Sequence, residues 1–385
     1  MQAVILAGGE GSRLRPLTRS RPKALIPVAN RPILDYVIEA VKSAGIQDIT
    51  VVVGYRKEQV LKYLNSLETE ITTVVQKRQL GTADALLCAA DYVDNPFLVL
   101  PGDNYVSPRS VQKMKEEECA VLAQINPNPA EYGVIQADES CVRKITEKPA
   151  YQGEHLVSTG VYTMWPEIFQ YLNDGFDLVG AVNQIVTDGT EMRIVMAKAW
   201  YDAIYPWNLL PMNRFLLKGR TSTDISGKIK QNVVISGGVQ IGAGTVIEPN
   251  TTILGPAVIG EDCHIGPNVT IMPFTSLGAR VTVEPFSLVS DSLIMDDTYI
   301  GSHSTIRSVV SGTGCILSDH TATVAGEHCA QIRQRYVPGM FSAILGDHVT
   351  CAPFTVFRGC RAGNGTRIEE GRSLSGELED NTVVR

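Results

Sequence analysis

Ile235, Ile241, Ile247, Ile253, Ile259, Ile265, Ile271, Leu277, Val283 and Val289 recur every six residues without a miss. A period of six fits neither an α-helix nor the two-residue alternation of a simple strand. Four places after each of the first nine stands a small or β-branched residue: Val239, Thr245, Thr251, Ala257, Cys263, Val269, Thr275, Val281 and Ser287. Glycine and proline punctuate the gaps. The pattern predicts a solenoid whose triangular coil uses three hexads, with the aliphatic residue of each hexad pointing inward. An ordinary sandwich would have to keep both positions in phase by chance. The phase slips by one residue near Ile294, continues through Ile300 and Ile306, becomes ragged, and returns at Leu345, Cys351, Phe357 and Gly363.

Up to about Arg220 the grammar is different. The short apolar runs AVILA (3–7), ITVVVG (49–54), FLVLPGD (97–103) and VSTGVYTM (157–164) alternate with amphipathic stretches. ILDYVIEAVKSAG (33–45) places Leu34, Val37, Ile38 and Val41 on one helical face and ends on Gly45, a C-terminal stop. GTADALLCAADYV (81–93) is the next predicted helix. Such alternation predicts an α/β domain, Rossmann-like, with a mostly parallel sheet covered by helices on both faces. The expected division is therefore 1–220 for the α/β domain and 228–385 for a parallel β-helix, with a helix and polar connector over 205–227.

Composition narrows the function. The chain has 385 residues, is 44% apolar, and has a formal net charge of −7, which argues against a broad basic face for nucleic acid. No apolar run approaches the roughly 20 residues of a membrane span. The opening MQAVILAGG lacks a basic region and a small-residue cleavage site, so a cytoplasmic protein is expected. The eight cysteines never form a Cys-x-x-Cys pair, and the six histidines keep no metal-ligand spacing to them. Small buried thiols are expected, not zinc or disulfides.

Against that acidic background, LAGGEGSRLRPLTRSRPK (6–23) is locally cationic and leaves the first strand. It lacks the Walker A string, and Leu14 stands where a dinucleotide fingerprint requires its third glycine. What remains is a loop whose bare backbone N–H groups approach a nucleotide while arginine and lysine hold phosphates, beyond the carboxyl end of a strand where open sheets bind ligands.

That loop, followed by RPKALIPV, resembles the signature of the sugar-1-phosphate nucleotidylyltransferases. The resemblance continues in order through QLGTADAL (79–86), LVLPGDN (98–104), EYGVI (131–135), ITEKP (145–149), STGVY (158–162) and WYDAIYPWNLL (200–210). It implies transfer of a nucleotidyl group from UTP or dTTP to a sugar-1-phosphate, with Mg2+ as cofactor and pyrophosphate as product. By the same resemblance, Leu6, Ala7, Gly8 and Gly9 line the nucleoside, Gly11 shapes the phosphate turn, and Arg13 holds the departing phosphates. Lys23 neutralises charge at the reacting phosphates. Gln76, Gly81 and Thr82 read the base, and Asp103 and Asp202 hold the metal. Gly133, Glu147 and Thr159 match sugar-contacting positions, with Lys148 near the sugar phosphate. Ser158 stands where relatives often carry Asn, which leaves the sugar's 2-substituent open.

The hexad half is similar to the acyltransferase half of bifunctional members of that family, a left-handed parallel β-helix using acetyl-CoA. His303 is the candidate base there. However, Ile306 stands where the pattern has tyrosine, and SGTGC (311–315) replaces its glycine-alanine-glycine run. Assembly into a homo-oligomer, a trimer or a multiple of one, is the expected role of this half. Acetyl transfer is the alternative. A further alternative is a non-catalytic nucleotide-sensing subunit, although Arg13, Lys23, Asp103 and Asp202 are all intact.

Overall fold

The first strand, β1 (Gln2–Ala7), is apolar throughout its interior and pairs in parallel on both sides, which is why its residues need no polar alternation. In the computed structural model, which describes residues 1–332 and 335–385, the chain divides into two units. The first comprises 1–10, 21–25 and 32–202; the second comprises 11–20, 26–31 and 203–385. Thus residues 11–20 and 26–31, close to the N-terminus in sequence, group with the hexad half.

In the first unit, β1 is followed by α1 (Ile33–Ser43), β2 (Ile49–Val53), β3 (Thr72–Val75), the short helix α2 (Thr82–Leu87) and β4 (Phe97–Pro101). Then come β5 (Asn104–Val106), β6 (Ala120–Asn126), β7 (Gly133–Asp138), β8 (Cys141–Glu147), β9 (His155–Met164), β10 (Arg193–Met196) and β11 (Trp200–Asp202). Nine strands form one sheet in the order β3-β2-β1-β4-β9-β6-β10-β8-β7, and β5 and β11 form a separate two-stranded ladder. The pairs among β3, β2, β1 and β4 are parallel. From β9 onward antiparallel pairs dominate. The sheet is therefore mixed: the parallel half is the Rossmann-like part, and hairpins such as β7–β8 complete the rest. Alternate residues feed two cores. Ala3, Ile5, Val51 and Leu98 pack with Leu34, Val37, Ile38 and Val41 of α1. Val4, Val52 and Val99 pack with Ala85 and Leu86 of α2 on the other face. Gly45, at a left-handed φ of 73°, ends α1 as predicted.

In the second unit the stretch from 203 onward forms α3 (Leu209–Lys218) and then a β-helix. Its first paired strand is Asp224–Ile225, so the connector already belongs to the ladder where the sequence pattern still reads as polar linker. Successive coils stack in parallel with inward residues in register. Ile235 pairs with Ile253, then Ile271, Val289 and Ile306 on one face. On a second face Ile229 leads through Ile247, Ile265, Val283, Ile300, Leu317 and Cys351 to Ile368 and Val384. Those from Ile241 to Val289 are at most 2% exposed, so each hexad aliphatic is a core residue.

The second restricted position also has a physical cause. At these corners a hydroxyl or thiol reaches the next coil. Thr245 donates to the Gly260 carbonyl at 2.7 Å, Thr251 to Gly266 at 2.8 Å, Cys263 to Gly278 at 3.1 Å, and Ser287 to Gly301 at 2.8 Å. Side chains here must be small, and a buried carbonyl must have a donor. Gly242, Gly260 and Gly278 stack so closely that a Cβ on Gly260 would lie 2.5 Å from the Gly278 carbonyl oxygen.

The slip near Ile294 is a change in corner spacing: the left-handed corners Asn232, Asn250, Asn268 and Phe286 are 18 residues apart, whereas His303 and His320 each follow the preceding corner by 17. The ragged stretch is an antiparallel hairpin, Gly326–Ile332 against Arg335–Phe341, inserted between coils. Its Phe341 stacks on Trp207 (5.2 Å, 8°), which stacks in turn on Tyr205 (5.1 Å, 15°). Helix α3 is locked to the coils by Asn213. Its Oδ1 accepts from Ser276 Oγ at 2.7 Å and from Ala29 N–H at 2.9 Å, while its Nδ2 donates to the Phe274 carbonyl at 3.0 Å. All eight cysteines are free; Cys263, Cys315, Cys351 and Cys360 are buried in the β-helix as expected of small buried thiols, whereas Cys88, Cys119 and Cys141 are half-buried and Cys329 on the hairpin is exposed. Among the described residues no helix is long and apolar enough to cross a membrane.

Candidate active site

In a sheet ordered β3-β2-β1-β4, successive connections run to opposite sides of β1, which opens a crevice beyond the carboxyl ends of β1 and β4. Several predicted residues leave the sheet there. Gly8 and Gly9 follow β1, Gly54 follows β2, Gln76 follows β3, and Asp103 lies two residues past β4. Leu6 and Pro101 are register partners, and Gly102 N–H donates to the Leu6 carbonyl at 2.8 Å. Gly102 packs so tightly that a Cβ would lie 3.0 Å from that of Ala7. This close packing sets Asp103 beside the start of the glycine loop.

Lys23 is the centre of the charged cluster. It is 7% exposed, and its Nζ donates to Asp202 Oδ1 at 2.8 Å and lies 3.0 Å from Asp103 Oδ2. Burial, the largest single influence, pulls the ammonium down, but the Asp103 and Asp202 carboxylates together outweigh it and hold its pKa above the ordinary lysine value. Asp202 comes from the small ladder, where it is the register partner of Asn104. With its amide nitrogen toward the acids, Asn104 donates to Asp202 Oδ1 at 2.8 Å and to the Asp103 carbonyl at 3.1 Å. Asn104 is 6% exposed. Sequence reading passed over it, although it follows directly on Asp103 in PGDN, because its part is to orient a carboxylate.

Two carboxylates converging on one cation offer the hard oxygen donors that suit Mg2+, which takes only one or two protein carboxylates and leaves its other positions to water and phosphate. Among the described residues no third acidic, histidine or cysteine ligand joins them. The pair therefore fits a magnesium ion shared with a nucleotide and does not fit a closed protein cage.

Around the glycine loop, a Cβ on Gly8 would stand 2.8 Å from Gln76 Oε1, and a Cβ on Gly54 would stand 2.7 Å from the Gly8 carbonyl. Gln76 is buried; its Nε2 donates to Asp84 Oδ2 at 2.7 Å and to the Gly81 carbonyl at 3.2 Å. Gly81 has a φ of 111°, and Thr82 opens α2. Asp84 is a second residue that motif reading passed over.

Gly133 and Glu147 are register partners across the β7–β8 hairpin, and a Cβ on Gly133 would lie 3.2 Å from Glu147 Oε2. Lys148 pairs with Glu147 at 2.8 Å on the surface. Thr159 is buried, with its hydroxyl donating to the Leu122 carbonyl at 2.8 Å. Its neighbour Ser158 shares a hydrogen bond of 2.8 Å with the Tyr162 hydroxyl, whose pKa burial pushes up to about 12. Gly11 and Arg13 lie in residues 11–20, counted with the second unit. There Gly11 takes a left-handed φ of 66° and its carbonyl accepts from the Thr18 hydroxyl at 2.9 Å, while Arg13 sits in the single turn Ser12–Leu14.

A family model described as nucleotidyl transferase matches residues 2–208. The chain belongs to the nucleotidyl transferase family. Within this transferase, residues 247–371 also match a model described as the GMPPB C-terminal domain. It is 33% identical to the bifunctional protein GlmU of Methanocaldococcus jannaschii, covering 100% of this chain and 97% of that one. It is 30% identical to a bifunctional sugar-1-phosphate nucleotidylyltransferase/acetyltransferase of Sulfurisphaera tokodaii, with 98% of each chain covered. Among solved structures, a Bacillus anthracis protein assigned as a glucose-1-phosphate thymidylyltransferase superposes with a TM-score of 0.51 at 27% identity. That match covers 56% of this chain and 94% of the other.

The acetyl-transfer candidate His303 is exposed at a β-helix corner, with φ 57°. Its ring stacks on Phe286 (5.0 Å, 8°) and on His320 (5.2 Å, 7°), and His320 stacks on Phe354 (4.7 Å, 4°). Four successive corners thus form one aromatic column.

Proposed function

We propose that this transferase joins the nucleotidyl group of UTP or dTTP to a sugar-1-phosphate and releases pyrophosphate. The observation that carries the reading is the Lys23 ammonium held between Asp103 and Asp202 beside a loop of bare glycines. In the reaction an oxygen of the sugar phosphate bonds to the α-phosphorus, and the bond from that phosphorus to the bridging oxygen breaks, so pyrophosphate leaves. The nucleophile is already anionic and no proton has to move. Catalysis then consists of holding polyanions in line and opposing their charge. Lys23 and Arg13 supply fixed cations, at the reacting and the departing phosphates. Asp103 and Asp202 would hold Mg2+, and Asn104 keeps Asp202 aimed. When bound, the metal supplies Lewis-acid neutralisation of phosphate oxygens. Leu6, Ala7, Gly8 and Gly9 line the nucleoside, with Gly11 at the phosphate turn. Gln76, Gly81 and Thr82 read the base. Gly133, Glu147, Thr159 and Lys148 face the sugar phosphate.

A panel crossing nucleoside triphosphates with sugar-1-phosphates, read as pyrophosphate release, tests the reading. UTP or dTTP with a hexose-1-phosphate should be turned over. Asp103→Asn should lower kcat sharply while the protein stays folded, and Lys23→Ala should impair both affinity and rate. Full activity in either variant would refute the assignment.

For the β-helix unit we propose homo-oligomerisation, as a trimer or a multiple of one, supported by the exposed rings of Phe286 and Phe354, 58% and 60% accessible. A second reading is acetyl transfer from acetyl-CoA to an amino-sugar-1-phosphate. It is favoured by the full-length likeness to proteins named as bifunctional and by the accessible His303. Release of free thiol from acetyl-CoA, lost in His303→Ala, is its test. A cytoplasmic location fits these substrates.

A further inference from the structure

Gln76 can present either end of its amide to a ligand, and its neighbours decide which. The two hydrogens of Nε2 are directed to Asp84 Oδ2 at 2.7 Å and to the Gly81 carbonyl at 3.2 Å. Both partners are acceptors, and an ionised carboxylate can only accept. One of the two amide orientations is therefore excluded: turning the amide over would set its oxygen against two other oxygens. In the orientation that remains, Oε1 faces the glycine loop, where a Cβ on Gly8 would lie 2.8 Å from it. Gln76 is 4% exposed, so water offers little relief to a mismatched partner.

We propose that Asp84 is a specificity-determining positioning residue. By locking the Gln76 amide it leaves only a hydrogen-bond acceptor toward the base, and so it selects a pyrimidine with a ring N–H over one with a bare ring nitrogen. Uracil and thymine carry N3–H and satisfy Oε1. Cytosine presents the N3 lone pair there, so acceptor meets acceptor in a buried site. The inference deepens the reading of Gln76 as a base contact, on which it rests. It assigns the discrimination to the fourth residue of the GTADAL segment, which touches the glutamine and not the base.

The test compares UTP with CTP, which differ only at ring N3 and at the neighbouring C4 substituent, so the effect of Asp84 is read from the change in their ratio between variants. In the full-length protein, kcat/KM for the two triphosphates is measured with the sugar-1-phosphate found by the panel, and binding of each is measured by calorimetry with Mg2+. The unaltered protein should prefer UTP by about a hundredfold or more, as sites that read a hydrogen-bonding group do. In Asp84→Asn the new side chain can donate as well as accept, so the stronger of the two oxygen contacts that exclude the turned-over Gln76 amide is relieved and only the longer one, to the Gly81 carbonyl at 3.2 Å, remains. The UTP-to-CTP ratio should then fall by about tenfold or more, the scale of one buried mismatch relieved. Asp84→Ser, whose hydroxyl also does both, should shift the ratio in the same direction.

A merely structural Asp84 would lower both nucleotides together and leave the ratio unmoved. A ratio within about twofold of the unaltered protein in both variants, or equal binding of CTP and UTP by the unaltered protein, overturns the proposal. If no triphosphate releases pyrophosphate with any sugar-1-phosphate, the proposed reaction fails on its own account. The calorimetric ratio still decides for or against Asp84.

Discussion

Replacing Lys23 by methionine tests the electrostatics of the site, because methionine keeps the buried apolar stem of the side chain and removes the ammonium with its charge and its hydrogen bonds. The ammonium lies 2.8 Å from Asp202 and 3.0 Å from Asp103. Without it two carboxylates face a shared gap with no cation between them. Breaking a fully buried pair costs about 3–5 kcal/mol. Here the Asp202 side chain is 14% exposed but that of Asp103 is 34% exposed, so water relieves part of the repulsion. A loss of about 2–3 kcal/mol at neutral pH is expected after that discount. For a unit of this size it corresponds to a drop of roughly 5–10 °C in its calorimetric transition.

Two further readings sharpen the test. Two like charges repel, so the variant should recover toward the wild type in acid, where protonation of a carboxylate relieves the repulsion. In the wild type the Lys23 pKa is raised above its ordinary 10.5. Its contribution is complete below that value and is lost as pH rises past it, so the two proteins should also converge in strong alkali. Millimolar Mg2+ without nucleotide should stabilise Lys23→Met more than the wild type, because the ion no longer competes with an ammonium. Scanning calorimetry with Mg2+ and with EDTA measures both effects. A variant within about 1 °C of the wild type, or an equal response to Mg2+, would refute the idea that Lys23 holds the two acids together.

Three other outcomes follow from the geometry. Asn104→Ala removes the amide that donates to Asp202 at 2.8 Å; kcat should fall at least about tenfold with KM little changed, since aim and not affinity is lost. In the β-helix, Ile265→Ala should cost about 3–4 kcal/mol in urea denaturation, while the neighbouring exposed His264→Ala should cost less than about 0.5 kcal/mol, because only the hexad position is in the core. Asn213→Ala strips the bonds to Ser276, Ala29 and Phe274 from a side chain 1% exposed; about 2–3 kcal/mol should be lost, read as an earlier urea transition of the second unit.

The β-helix was legible because its period repeats one physical demand, a branched aliphatic in a narrow core and a small side chain bridging to the next coil. The inserted hairpin was legible only as a loss of phase. Among the described residues its strands pair with each other and not with the coils, so they owe nothing to the hexad. The α/β half was legible as alternating strands and helices. Its antiparallel part was not, because VSTGVYTM reads the same whichever way its neighbours run, and both β4 and β6 run against it. Nor could local sequence reveal that residues 11–20 group with the second unit, since packing partners are set by the fold and not by composition.

The same distinction divides the site. Lys23, Asp103 and Asp202 were found because charge and motif mark them. Asn104 and Asp84 were not, because each acts on another side chain, and that can be read only from a distance and a direction. A carboxylate in the first turn of a helix is ordinary in sequence. What makes Asp84 informative is that the amide it holds has two ends of opposite chemistry, so fixing the amide decides what the glycine-lined crevice can accept. Specificity in such a site depends on the residues that orient its contacts as much as on the contacts themselves.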